Sequence, residues 1–99
     1  MAEHPLQVLI ENDPELIRLD GEGAAAEFSD GALPKKTKLL IALAIDASMG
    51  AAGGVHALAR EALEAGATRE EILETVRVVH FVGGHGKLHV AAQGLKGVL

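Results

Sequence analysis

Apolar residues recur along the chain with the spacing of α-helices, and the strict alternation that marks a β-strand is absent. The first strong helix start is Asp13-Pro14, because an aspartate caps the free N–H groups of a first turn and proline fits the first helical position. The amphipathic segment that follows is predicted to continue to about Phe28. Turn-forming residues occupy positions 29–34 and end it.

The next helix is predicted from Lys35 to Ser48, and its middle, LLIALAI, is apolar on every side. A helix that is apolar all round is normally buried all round. A chain of 99 residues has few other elements with which to cover such a helix. The pattern therefore favours a partner subunit that covers part of it.

A third helix is predicted over about residues 51–65, and Gly66 provides its C-terminal cap. Thr68 and Glu71 then form a capping box, which is the clearest local signal in the chain. The helix that it begins is broken by the glycine pair at 83–84, and a last short helix follows. Together these segments predict an all-α fold of about five to six helices.

The composition fits a single small domain, residues 1–99, whose core consists of small aliphatic side chains: 48% of the residues are apolar and 2% are aromatic. The net charge of −5 argues against nucleic-acid binding, because nucleic acids attract basic surfaces. The longest apolar run is too short to span a bilayer, and the first residues lack the pattern of a secretory signal. We therefore expect a cytoplasmic protein with no membrane partner.

The segments LPKKTKLLIALAI and ALAREALEAGATREEILETV, together with the glycine break, resemble the carboxymuconolactone decarboxylase family, which includes the AhpD-like alkylhydroperoxidases. The resemblance covers about two thirds of the chain, and EALEAGATREEILE is its most distinctive part. It implies an AhpD-like helical bundle that assembles as a trimer or hexamer. Redox members of the family carry a C-x-x-C-x-x-x-H motif and a glutamate on the preceding helix.

Aligned from Thr68 without gaps, the two cysteine positions of that motif fall on Ala51 and Gly54, the histidine position on Leu58 and the glutamate position on Leu39. The whole chain has no cysteine. Reduction of a peroxide by a thiol needs one sulfur to attack and a second to resolve the product, so the sequence argues against thiol peroxidase activity. The decarboxylases resemble G-R-E-H-E-L-R-L-H in this stretch. The chain has MGAAGGVHAL, so lactone decarboxylation is not supported either.

Imidazole is the reactive group that the sequence offers in place of the thiols. We predict that His56, His80, His85 and His89 form a metal site for a divalent transition metal such as zinc, iron, copper or nickel. The catalytic candidates are His80 and His56, as acid or base, together with Asp46. Asp46 lies on the otherwise apolar helix, where a carboxylate must be paired or lie at the mouth of a pocket.

Each histidine also has a simpler interpretation. His85 and His89 stand four residues apart, which puts them on one helical face, but that face is also compatible with two solvated side chains near a glycine turn. His80 falls on an apolar stripe and is compatible with a neutral core histidine bonded to a carbonyl. Arg60 follows His56 by one helical turn, which suggests that this side of the helix is exposed.

Two functional hypotheses follow from these alternatives. The first is an enzyme that uses histidine chemistry, with or without a metal, on a small-molecule ligand in a pocket between helices and subunits. The second is a catalytically silent family member that serves as an oligomeric binding or scaffolding unit. The number of histidines favours the first, and the loss of all four redox positions favours the second.

Overall fold

A computed structural model describes residues 4–99, and within that range every regular element is an α-helix. The all-α prediction is therefore confirmed. No helix among these residues is long and apolar enough to cross a membrane. The six helices follow one another as α1 (Gln7–Asn12), α2 (Pro14–Glu27), α3 (Lys35–Ser48), α4 (Ala52–Glu64), α5 (Arg69–Gly83) and α6 (Gly86–Leu95).

Local signals place the helix boundaries as expected. α2 begins at Pro14, and the backbone N–H of Leu16 donates to Oδ1 of Asp13 at 3.1 Å. α3 begins at Lys35 and ends at Ser48, as predicted. The prediction missed α1, because a helix of six residues is too short for the apolar period to repeat.

The capping box at the start of α5 is complete. The N–H of Glu71 donates to Oγ1 of Thr68 at 3.0 Å, and the N–H of Thr68 donates to Oε1 of Glu71 at 2.8 Å. Lys36 of α3 adds an ion pair, with 3.1 Å between its Nζ and Oε2 of Glu71. The Thr68 N–H first and the Lys36 ammonium second lower the pKa of Glu71. A carboxylate with a lowered pKa stabilises the fold above its ordinary pKa, and this contribution is lost as the pH falls.

The core lies between α3, α4, α5 and α6. One cluster of buried side chains joins α3, α4 and α5. It consists of Leu43, Ala47, Val55, Ala59, Ile72 and Val79. A second cluster, made of Leu39, Ala62 and Ala67, lies nearer the start of α3. Alanine supplies two of the six residues of the first cluster and two of the three of the second, and the helices can approach closely at these positions.

The closest approach brings α6 onto α4. A Cβ atom at Gly94 would lie 2.6 Å from Cβ of Val55 and 2.7 Å from the carbonyl oxygen of Ala52. Only glycine fits at this position, because backbone and branched carbon atoms already fill the space. The contact holds the backbone of α6 directly against the first turns of α4.

The two N-terminal helices, α1 and α2, form an arm that buries none of its own residues. The end of the arm meets the bundle at Phe28, which packs against the cluster of Leu39, Ala62 and Ala67. The radius of gyration is 14.2 Å. A compact chain of this length has a radius of about 13 Å, so the arm makes the chain more extended.

Several apolar side chains on α3 and α5 are exposed. Three of them, Ile45 (52% exposed), Val78 (62%) and Val82 (80%), line one groove between the two helices, and we call this surface the α3–α5 face. Ile41, Met49 and Phe81 are exposed as well. The sequence predicted that α3 is buried all round, with a partner subunit covering part of it. Within one chain only the stripe of Leu39, Leu43 and Ala47 is buried, and coverage by a partner stays a prediction.

The capping box predicts the effect of replacing Thr68 with alanine. We expect Thr68→Ala to lower the free energy of unfolding by about 1 kcal/mol, because the first turn of α5 loses its side-chain acceptor. Urea denaturation at one fixed protein concentration measures the change. Thr37→Ala, inside α3, is the matched control, with an expected change within about 0.5 kcal/mol. Equal losses in the two variants would contradict the role of the cap.

Candidate functional site

His56 is half-buried on α4, and its ring is held by the backbone of α6. Its Nδ1 lies 2.9 Å from the carbonyl oxygen of Gly94. A carbonyl only accepts, so Nδ1 carries the proton in this contact and Nε2 keeps a free lone pair in the neutral ring. The close approach at Gly94 thus selects one tautomer of His56 and leaves the other nitrogen available as a base or a ligand.

The His56 side chain lines a groove of about 480 Å³ between α4 and the C-terminal residues. The groove combines an imidazole, a guanidinium and a carboxylate with apolar walls. Its lining consists of His56, Arg60, Leu63, Glu64, Gly97 and Val98. The sequence suggested an exposed edge for His56; the ring is half-buried instead, because α6 covers one side of it.

Asp46 is half-buried at the junction of α3 and α4. A Cβ atom at Gly54 would overlap Oδ2 of Asp46 and would lie 2.8 Å from its Cγ. The carboxylate therefore lies against the backbone of the first turn of α4, the positive end of that helix. Among the described residues no buried side-chain nitrogen or oxygen lacks a partner, in line with a carboxylate that reaches solvent.

His85 and His89 lie one turn apart at the start of α6, and both are exposed. Their ring centroids are 5.3 Å apart and the ring planes are nearly perpendicular, at 78°. In a tetrahedral site with metal–nitrogen bonds of about 2.1 Å, the centres of two imidazole rings lie about 5 Å apart. Two rings at this separation can bind one ion where a nitrogen of each ring points at it.

His80 is exposed near the end of α5, so its side chain does not enter the core of its own chain. The buried residues of α5 are Ile72 and Val79. His80 follows Val79 directly, so it is turned by about 100° away from that buried position. Within residues 4–99, no three His, Asp or Glu side chains lie close enough to share a metal ion. One chain alone therefore does not bring His56, His80, His85 and His89 together, and the shared site stays a prediction.

Comparison with known proteins identifies the family. The sequence profile of the carboxymuconolactone decarboxylase family matches residues 14–96. The chain belongs to this family. It is similar to the crystal structure of an apo carboxymuconolactone decarboxylase family protein from Legionella pneumophila, with 36% identity and a TM-score of 0.83 over 92% of this chain and 81% of the other. A comparison with curated proteins gives no significant match.

Three of the four positions on which the redox motif falls in the ungapped alignment from Thr68 make packing contacts in this carboxymuconolactone decarboxylase family protein. Leu39 is buried, and Leu58 packs against its cluster, so an apolar contact occupies the glutamate and histidine positions. Ala51 is the residue before α4, and Gly54 in its first turn is covered by Asp46. None of the four positions carries a group that can exchange protons or electrons.

The groove beside His56 is the part of the site that sequence reasoning missed. The carbonyl partner of His56 lies 38 positions away along the chain, and no local pattern marks it. Arg60 and Glu64 do have a signal, because they follow His56 at intervals of four and so share its helical face.

Replacing Gly54 with alanine tests the packing of Asp46. We expect Gly54→Ala to lower the free energy of unfolding by about 1–3 kcal/mol, because the new methyl group overlaps the carboxylate. Urea denaturation measures it. Asp46→Ala in the same chain should restore the loss, since Cβ of Asp46 lies 3.4 Å from the added carbon.

Gly53→Ala is the matched control for this test, because nothing lies within 4 Å of the atom it adds. It should leave stability unchanged or raise it by up to about 1 kcal/mol through helix propensity. An equal loss from Gly54→Ala with and without Asp46 would show that the carboxylate does not occupy this space.

Proposed function

We propose that this carboxymuconolactone decarboxylase family protein uses imidazole chemistry in place of thiol chemistry, on a small anionic molecule bound in the groove of His56. In this proposal His56 takes up or delivers a proton through Nε2, and Arg60 binds a carboxylate of the ligand. Metal assistance comes from the His85–His89 pair. The working form is a homo-oligomer, a trimer or hexamer.

The observation that carries the proposal is the hydrogen bond between His56 and the Gly94 carbonyl. An imidazole with one fixed nitrogen and one free lone pair is the arrangement that general-base catalysis requires. A neutral histidine in the opposite tautomer would present an N–H to the groove and could not accept a proton there.

The residues around His56 indicate the class of ligand. Arg60 offers a planar set of N–H donors that suits carboxylates, while Leu63 and Val98 provide apolar walls. Glu64 on the same lining would repel a second negative group placed near it. A small molecule with one carboxylate and an apolar body fits these features.

The metal part of the proposal rests on the His85–His89 pair alone. Two exposed imidazoles one turn apart supply two nitrogen ligands, and water or a partner's side chain would complete a four-coordinate ion. When bound, such an ion would supply a Lewis acid. His80 and His56 take no part in this two-histidine site.

The assembly part of the proposal is supported by the α3–α5 face. Ile45, Val78 and Val82 line one groove and are each more than 50% exposed, and monomeric proteins rarely expose large continuous apolar patches. A second copy that covers this face would bury the side of α3 that the sequence predicts to be buried.

The second candidate is a catalytically silent binding or scaffolding unit. It is favoured by the apolar contact of Leu58 with the Leu39 cluster, because two positions that are reactive in redox members have become part of the core. In this case the groove would still bind an anion, but the His56 ring would serve only to pack α6 on α4.

NMR of the histidine rings tests the groove. We expect nitrogen-15 spectra to show His56 as the Nδ1–H tautomer, and titration with butyrate, a monocarboxylate with an apolar body, to move its ring signals. Arg60→Gln should weaken butyrate binding about tenfold, because a charge-assisted hydrogen bond is lost. Arg77→Gln, on α5 and outside the groove, should leave binding unchanged. An Nε2–H tautomer, or no response to butyrate, would contradict the proposed site.

Calorimetric titration with Zn²⁺ and Ni²⁺ tests the metal pair. We expect one ion per chain, and His85→Ala and His89→Ala should each weaken binding by about tenfold or more because a two-ligand site becomes a one-ligand site. His80→Ala is the control and should bind as the unaltered chain does. Binding that survives both single substitutions would remove the pair from the proposal.

A further inference from the structure

We propose that the N-terminal arm of one copy, α1 and α2, lies on the α3–α5 face of another copy, so that the oligomer is held by exchanged arms. This inference rests on the homo-oligomeric part of the proposed function and adds the element that covers the face. It joins two surfaces that a single chain leaves open. The face is apolar, and the arm exposes two leucines among charged residues.

The arm presents apolar side chains that face away from its own bundle. Leu16 and Leu19 are 47% and 52% exposed. The residues of α2 that line the cavity against the bundle are Ala24, Ala25 and Phe28. At 100° per residue, these three lie on roughly the opposite side of α2 from the two leucines. The leucines are therefore free to contact a different molecule.

The arm contacts its own bundle on the side of α3 that is opposite to the α3–α5 face. It therefore does not cover that face of the same chain. Phe28 packs against Leu39 and α4. Ile41 and Ile45 follow Leu39 by two and six positions, which turns them by about 200° and 240° around α3. The arm of a chain therefore packs at the buried side of α3, where Leu39 lies. The α3–α5 face lies on the opposite side of that helix. Covering that face calls for the arm of another copy.

Charge favours the same pairing. Residues 1–30 contain eight acidic residues and one arginine, a formal net charge of −7. Residues 31–99 contain eight basic and six acidic residues, a net charge of +2. Like-charged arms repel each other, whereas the opposite net charge of residues 31–99 attracts an arm to the remainder of another copy.

The α3–α5 face offers a place for apolar side chains of this size. A groove of about 250 Å³ runs between the two helices. Its lining is almost entirely apolar and consists of Ala44, Ile45, Ser48, Val78, Val79, Val82 and Gly83. An amphipathic helix that lays leucines into an apolar groove is a common mode of recognition between helices.

Disulfide trapping tests the exchange, because the natural chain has no cysteine and the only thiols are those introduced. One full-length chain carries Leu19→Cys in the arm, and a second, tagged chain carries Ile45→Cys on the face. The two are mixed under exchange conditions, oxidised and separated on a non-reducing gel. Gly21→Cys replaces Leu19→Cys in the control, because position 21 lies on the opposite side of α2 and nothing lies within 4 Å of its added atom.

We expect a covalent heterodimer from the Leu19 and Ile45 variants, in at least about tenfold excess over the Gly21 control, because docking raises the local thiol concentration. A chain that carries both cysteines should form covalent oligomers. A closed monomer from that chain would overturn the exchange, since it would mean that the arm covers its own face.

The mass of the unaltered protein in solution separates failure of this inference from failure of the assembly it rests on. An oligomer that gives no Leu19–Ile45 cross-link above the control would overturn the exchange and leave the assembly standing, with face meeting face as the other arrangement. A monomeric protein at all concentrations would overturn both.

Discussion

The contact between Gly94 and the first turns of α4 is the constraint on which the candidate site depends. It holds α6 against Val55 and Ala52 with no room for a side chain. Because α6 is held there, its Gly94 carbonyl meets His56, and residues 97 and 98 form one wall of the groove. A wider separation of α4 and α6 would release the ring, open the groove and leave a carbonyl and an imidazole without their partner.

The absence of thiols is accommodated by ordinary packing rather than by a substitute of similar chemistry at the same place. Leu58 packs against the cluster of Leu39, so these two positions add to the core. The remaining chemistry-bearing groups lie elsewhere: His56 on α4, and the His85–His89 pair on α6. The family fold is thus retained without the thiol groups, and a fold does not by itself fix where reactive groups lie.

Local signals in the sequence were sufficient for most of the fold. The bounds of α3 and the capping box of Thr68 and Glu71 depend on residues that are close along the chain, and both were predicted. The orientation of His80 was not, because it lies next to buried Val79 and a turn of 100° separates the inside of α5 from the outside. The partner of His56 depends on tertiary packing. The middle of α3 is apolar on every side. The pattern therefore does not indicate which side is buried within the same chain and which side is left exposed.

The position of Asp46 has a consequence for how this branch of the family can change. Its carboxylate occupies the volume in which any side chain at position 54 would begin. A cysteine introduced there would meet the Asp46 carboxylate at its first side-chain atom, and a pair of thiols would need a second cysteine at position 51. Installing a dithiol at these positions therefore takes at least two substitutions together with a displacement of the Asp46 side chain.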